Sequence, residues 1–179
     1  MFAAFVQGPL IRIIPVGMIL LALQRTIFVE LTVDGVILQV MTAFAAAAGA
    51  VGGSERGAVV GFVLGLMYDL VEGTPLGSTA IVMTVAGVVA GLLALITPDP
   101  QWWMLAIFTG LGAAAGEIAT PVVRVLIGEA DPFDASIATI VPIVALSAVV
   151  MSPLLVPLAR WCLRLKPAEW TEPAVDTAT

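Results

Sequence analysis

Three ionisable side chains, Arg25, Asp69 and Glu117, lie within long apolar runs of this 179-residue chain. If these runs are helices that cross a bilayer in one direction, the three residues lie at similar depth, roughly 20 Å from the side where each helix begins. A lone charge in hydrocarbon costs a few kcal/mol and usually finds a partner. We therefore predict that Arg25 neutralises Asp69, Glu117 or both. The alternative is that Arg25 and Asp69 extend separately to the nearer interface.

The scarcity of histidine and cysteine limits the catalytic and metal sites that this chain could form. It contains no histidine, and Cys162 is its only cysteine. These counts exclude a disulfide within the chain, a Cys/His metal site and a histidine relay. An intramembrane aspartyl protease needs a pair of aspartates, and Asp69 has no second aspartate within an apolar run. A proton pathway is also disfavoured, because two carboxylates make no relay. We expect no enzyme activity and no cofactor.

The composition indicates the class of protein that must position these residues. Hydrophobic residues make up 60% of the chain and charged residues only 11%, whereas about a quarter of a soluble domain is charged. The apolar runs are long and show no strand-type alternation, so helices must satisfy the backbone in lipid. The sequence therefore predicts an all-α integral membrane protein.

Six apolar runs are separated by short polar turns. The predicted spans are residues 13–31, 33–51, 57–71, 78–96, 103–127 and 137–158. Prolines in the last of these predict a kinked helix. We expect residues 1–166 to form a single six-helix membrane domain and residues 167–179 to be a disordered tail.

Six spans place both termini on the same side of the membrane. That side holds the basic residues Arg12, Arg56, Arg160, Arg164 and Lys166. The loops on the other side hold no lysine or arginine, and their acidic residues are Glu30, Asp34, Glu72, Glu129, Asp131 and Asp134. The positive-inside rule then places both termini in the cytoplasm.

A row of small residues marks the third span. Gly57, Gly61, Gly65, Asp69 and Gly73 are spaced four apart, so on a helix they share one slowly drifting face. Such faces let helices approach closely in lipid. We predict that this segment is the packed centre of the bundle; the alternative is a chance spacing, because glycine is common in membrane helices.

The turn that follows the third span has strong helix-breaking signals. Its sequence, GTPLG, places Pro75 between Gly73 and Gly77. Proline and glycine end a helix here, and the next residue, Ser78, is a good N-cap for the fourth helix. The glycines, Asp69 and Pro75 together form the predicted helix-packing or partner-binding motif.

This motif resembles the signature of the MreD family of rod shape-determining membrane proteins. The resemblance rests on residues 61–70, GFVLGLMYDL, followed by GTPLG and Ala80, and the similar size and span number extend it to residues 13–166. It marks Gly61, Gly65, Asp69, Gly73 and Gly77 as the signature positions. The in-membrane Arg25 and the acidic tail depart from the family pattern.

The resemblance implies a non-catalytic scaffold of the bacterial cell-elongation machinery in the inner membrane. Its implied partners are the bilayer, an MreC-like single-span protein and, through that protein, the MreB filament and the peptidoglycan synthases. Nucleic acid is not among them.

A second class has a similar length and glycine content, namely the six-helix substrate-capture subunits of vitamin importers. Such a subunit needs a pocket with convergent polar groups. The in-membrane candidates are Gln24, Arg25, Gln39, Thr42, Asp69 and Glu117.

Overall fold

The computed structural model describes residues 10–28, 32–33, 36–96, 100–128 and 137–163. This part of the chain holds six α-helices, a π-helical continuation of the first, and one antiparallel pair of two-residue strands. The helices are α1 (Leu10–Leu23), α2 (Val40–Gly52), α3 (Ser54–Glu72), α4 (Ser78–Ala94), α5 (Trp102–Leu126) and α6 (Ile137–Leu163). The π-helix is Gln24–Phe28, and the strands are β1 (Thr32–Val33) and β2 (Val36–Ile37). The predicted all-α class is confirmed.

Three of the described helices are long and apolar enough to cross a membrane. They are α1 with most of its π-helical continuation (Leu10–Ile27), α5 and α6. Helices α2 and α4 are apolar but shorter. These helices indicate a membrane protein, and a crossing by all six stays a prediction.

The second predicted span, residues 33–51, differs from the structure at its start. Helix α2 begins only at Val40, because β1 and β2 pair with each other ahead of it and Val33 lies opposite Val36. β-branched residues favour such extended backbone. With 13 residues, α2 is about 20 Å long, shorter than a bilayer core of about 30 Å.

The break predicted at residues 52–56 is far smaller than expected. Only Gly53 separates α2 from α3, and α3 begins at Ser54 within the charged stretch. Gly53 has a φ of 84°, which glycine adopts without strain. One residue therefore reverses the chain, and the predicted loop is mostly helix.

The most buried helix is α2, not the glycine-rich α3 that the sequence predicted as the centre. Every residue of α2 from Val40 to Ala50 is buried. Its alanine-rich surface contacts α3, α4, α5 and α6. Helix α3 keeps an exposed apolar side, where Phe62 is 49% and Leu70 66% exposed. Small side chains let α2 occupy the middle, because four helices must approach it closely.

The glycine face of α3 lies against α4. A Cβ atom at Gly57 would overlap the backbone of Gly87 on α4 and of Gly49 on α2. One turn further along α3, a Cβ at Gly61 would overlap the α4 backbone near Met83. A turn beyond that, a Cβ at Gly65 would overlap the α4 backbone near Ala80. The absence of side chains at these glycines is what allows the two helices to touch.

The remaining predictions concern the last helix and the chain ends. Helix α6 runs without a break through Pro142, Pro153 and Pro157, so these prolines do not end it. The predicted kink stays a prediction. Near the end of α6, the Arg12 guanidinium lies 4.9 Å from the centre of the Trp161 ring and donates to the Trp161 carbonyl at 3.1 Å, which fastens α1 to α6. The predicted tail, residues 167–179, and the acidic loop, residues 129–134, lie outside the described residues.

Candidate functional site

Asp69 is enclosed at the junction of α3 and α4, where it is 1% exposed. Its Oδ2 accepts hydrogen bonds from the backbone N–H of Gly77 at 2.8 Å and of Ala80 at 3.4 Å. Its Oδ1 accepts from the backbone N–H of Thr79 at 3.1 Å and the hydroxyl of Thr74 at 2.7 Å. A carboxylate at a helix N-terminus is stabilised by these unpaired N–H groups and by the helix dipole. Asp69 therefore caps α4 from the neighbouring helix.

The turn between the two helices is shaped for this contact. Gly73 has a φ of 70° and closes α3 by donating its N–H to the Asp69 carbonyl. Gly77, with a φ of 97°, turns the chain so that its own N–H points at the Asp69 side chain. The predicted N-cap, Ser78, instead donates its hydroxyl to the Pro75 carbonyl at 2.8 Å, and its contact with Asp69 is long at 3.5 Å.

Arg25 does not reach the partners predicted for it. Its Nε lies 3.4 Å from Oε1 of Glu72, the last residue of α3. The two side chains are 53% and 28% exposed, so the pair lies at the edge of the bundle. The predicted charge pairs with Asp69 and Glu117 are therefore replaced by a pair with Glu72, because backbone and hydroxyl donors already occupy the Asp69 carboxylate.

A cavity of about 500 Å³ opens at the same end of the bundle. It lies where α1, α3 and α5 end and where α2, α4 and α6 begin. Its polar lining residues are Gln24, Gln39, Thr42, Tyr68, Thr74, Ser78, Thr79, Glu117, Thr120 and Arg124. Its apolar lining residues are Pro75, Val82, Met83, Val123, Ile127 and Ile140.

Four of the six pocket candidates chosen from the sequence line this cavity: Gln24, Gln39, Thr42 and Glu117. Arg25 and Asp69 are not among the lining residues. Sequence reasoning missed the other six polar residues of the lining, which are Tyr68, Thr74, Ser78, Thr79, Thr120 and Arg124. Each lies near a helix end that faces the cavity, but on the sequence alone they are ordinary polar residues at the ends of apolar runs.

Hydrogen bonds hold the polar lining in place. Gln24, 6% exposed, accepts from the backbone N–H of Met41 at 3.1 Å and so caps α2. Gln39 accepts from the Thr42 hydroxyl at 2.9 Å and lines the cavity together with Glu117. Glu117 is 8% exposed. The cavity therefore contains a buried carboxylate among amide and hydroxyl groups, an arrangement suited to binding a polar group.

The described residues contain no group of three His, Cys, Asp or Glu side chains that could hold a metal ion. Cys162 is a free thiol buried within α6. The cavity and the junction around Asp69 are therefore the two candidate functional sites.

The fold and these two features define an all-helical membrane protein with a polar cavity at one end. Comparison of the chain with protein-family models, curated proteins and solved structures finds no match.

Proposed function

We propose that this chain crosses the cytoplasmic membrane of a bacterium six times, with both termini in the cytoplasm. The support comes from the alternating direction of helices that pack as neighbours and from the charge difference between the two sides. Among the described residues, Arg12, Arg56 and Arg160 lie at one end together with Glu55. Glu72 and the cavity lie at the other end, where Arg25 and Arg124 are outnumbered by the carboxylates of Asp69, Glu72 and Glu117. The excess of positive charge is therefore at the first end. Positive residues are retained on the cytoplasmic side.

Within this membrane, we propose a non-catalytic scaffold of the cell-elongation machinery that binds an MreC-like single-span protein. Through that protein it would act with the MreB filament and the peptidoglycan synthases. The observation that supports this role is that the signature residues form one structural unit. Gly61 and Gly65 contact the α4 backbone, and Asp69 caps α4 with help from the glycine turn.

The hydrogen bonds of the motif favour a structural and partner-binding role over a catalytic one. Both oxygens of the Asp69 carboxylate accept hydrogen bonds from donors of the same chain. The residue therefore stabilises the helix bundle and is not available to bind a substrate. A rigid bundle with exposed apolar sides is suited to binding another membrane helix. The rod shape of the cell would then depend on the complex that this bundle holds.

The test is purification of the affinity-tagged chain from its own bacterium after mild detergent extraction. We expect a single-span protein with a coiled-coil segment to copurify, and depletion of the chain to turn rods into spheres. Wild-type chain should restore the rods. Normal rods after depletion, together with purification of the chain without such a protein, would contradict the scaffold role.

The cavity favours a second candidate, the substrate-binding membrane subunit of a vitamin-type importer. A volume of about 500 Å³ lined by several polar groups is what a substrate-capture subunit needs. Copurification with an ATPase module and thermal stabilisation by a vitamin would support this function over the scaffold.

A further inference from the structure

We propose that the cavity at the α1, α3 and α5 ends is a binding site for a small organic cation with an apolar body. The cationic group would lie at Glu117, and the apolar body would contact Val82, Met83 and Val123. This proposal goes beyond the scaffold role and does not rest on it. A fixed ligand is compatible with a scaffold, and a transported one with an importer subunit.

The size and lining of the cavity fit a small molecule. Pockets that bind such molecules have volumes of about 300–1,000 Å³ and combine apolar contact surface with polar groups that fix orientation. Here the volume is about 500 Å³. Val82 and Met83 of α4 and Val123 of α5 supply apolar contact, while Glu117 supplies the charge.

The buried carboxylate selects the charge of the ligand. Glu117 lies about two and a half turns before the end of α5 and is 8% exposed. An ionised carboxylate accepts hydrogen bonds at about four lone-pair positions, and the amide of Gln39, which lines the same cavity, has only two N–H donors. Arg124, further along the same helix, also attracts the Glu117 carboxylate. Burial has largely removed the Glu117 carboxylate from water, and a bound ammonium group would replace the lost water with N–H donors and a compensating positive charge.

An anionic ligand is disfavoured because the helix N-termini near the cavity are already capped. The first N–H groups of a helix attract anions. At α4 these groups donate to the Asp69 carboxylate, and at α2 the Met41 N–H donates to Gln24. The protein's own acceptors have therefore taken these N–H groups, and the guanidinium of Arg124, which also lines the cavity, already interacts within the chain.

The experiment measures binding of three probes of similar size to the purified full chain in detergent. The probes are phenethylamine, phenethyl alcohol and phenylacetate, which are cationic, neutral and anionic, and the readouts are calorimetric titration and the thermal unfolding midpoint. We expect only the amine to bind saturably and to raise the midpoint. Equal binding of the alcohol, preferential binding of phenylacetate or no binding of the amine would overturn the proposal.

Variants then locate the bound amine. Glu117→Gln should weaken amine binding about tenfold or more, as expected for loss of a charge-assisted hydrogen bond. The matched control is Glu55→Gln, since Glu55 is an exposed carboxylate at the opposite end of α3. Unchanged amine affinity in Glu117→Gln would overturn the site. If Glu117→Gln does not fold, the charge series on the wild-type chain still decides the proposal.

The ammonium group could belong to a free molecule or to a lipid headgroup. Binding of phenethylamine is therefore repeated in nanodiscs containing phosphatidylethanolamine and in nanodiscs containing only phosphatidylglycerol. Weaker binding with phosphatidylethanolamine would support the cation site and identify a lipid headgroup as its occupant. Equal binding in both would support the site with a free molecule as occupant. Absence of binding in both would overturn the proposal, while leaving the copurification test of the scaffold role unaffected.

Discussion

The Asp69 carboxylate accepts a hydrogen bond from the backbone N–H of Gly77 at 2.8 Å, so a side chain in the last turn of α3 caps the first turn of α4. It joins one end of α3 to α4, the two described helices that contact each other most extensively. At the other end, Gly57 meets Gly87 backbone to backbone. The pair is thus held by one polar junction and by a seam of glycines.

We predict that Asp69→Asn destabilises the bundle by about 1.5–3 kcal/mol, the range for a buried hydrogen bond to a charged group. An amide has one acceptor oxygen, and its NH₂ would face N–H donors of α4. Thr74→Val removes one of the donors to this carboxylate and leaves the backbone N–H donors in place, so it should cost about 1.5 kcal/mol, the lower end of that range. Reversible unfolding in a mixed detergent gives both values.

The matched control for this pair is Glu55→Gln, which alters an exposed carboxylate in the first turn of α3. It should change the free energy of unfolding very little. If Asp69→Asn were no more harmful than Thr74→Val, the carboxylate would not be the main cap of α4.

We predict that Gly61→Ala and Gly65→Ala each destabilise the bundle by about 1–3 kcal/mol or more, as overpacking does. The added methyl group would meet the α4 backbone, which cannot rotate away as a side chain can. The measurement is the thermal midpoint of each purified variant together with its yield in the membrane.

Gly17→Ala is the control for the glycine seam. The atoms nearest to a Cβ at Gly17 would be the side-chain ends of Leu64 and Met67, which can adjust more easily than backbone. Its midpoint should therefore stay close to that of the wild-type chain. Equal losses at Gly17 and Gly61 would show that the seam has no special role in packing α3 on α4.

The sequence predicted the helical class because long apolar runs with few charges leave helices as the simplest way to satisfy the backbone in lipid. It also predicted the start of α4 at Ser78, since a glycine and proline break precedes it. Four of the six polar candidates for a pocket line the cavity, because polar residues in apolar runs tend to face the protein interior.

Other features left no sequence signal. The partners of Asp69 are mostly backbone N–H groups, and an inventory of ionisable side chains does not include them. Arg25 pairs with Glu72, a residue that the sequence placed in a turn beyond the membrane helix. The central position of α2 was also missed, because an alanine-rich run is as apolar on a lipid-facing helix as on a buried one.

We predict that Arg25 is coupled to Glu72 and not to Asp69. In a double-mutant cycle, Arg25→Gln with Glu72→Gln should show a coupling of about 0.2–1 kcal/mol, as expected for a partly exposed ion pair. Arg25→Gln with Asp69→Asn should be additive. Free energies of unfolding from the same detergent titration supply both cycles, and a larger coupling to Asp69 would contradict the pairing that the structure shows.

The last prediction concerns the direction in which α3 crosses the membrane. Leu76→Cys, at a loop position that is 70% exposed, should react with a membrane-impermeant maleimide in spheroplasts. Glu55→Cys, at the opposite end of α3, should react only after the cells are broken, because the proposed orientation places the basic side of the protein in the cytoplasm. The native Cys162 is 1% exposed and should stay unlabelled in both cases, which makes the wild-type chain the control. Reversed labelling would invert the proposed orientation, and labelling of both variants in spheroplasts would show that α3 does not cross the membrane.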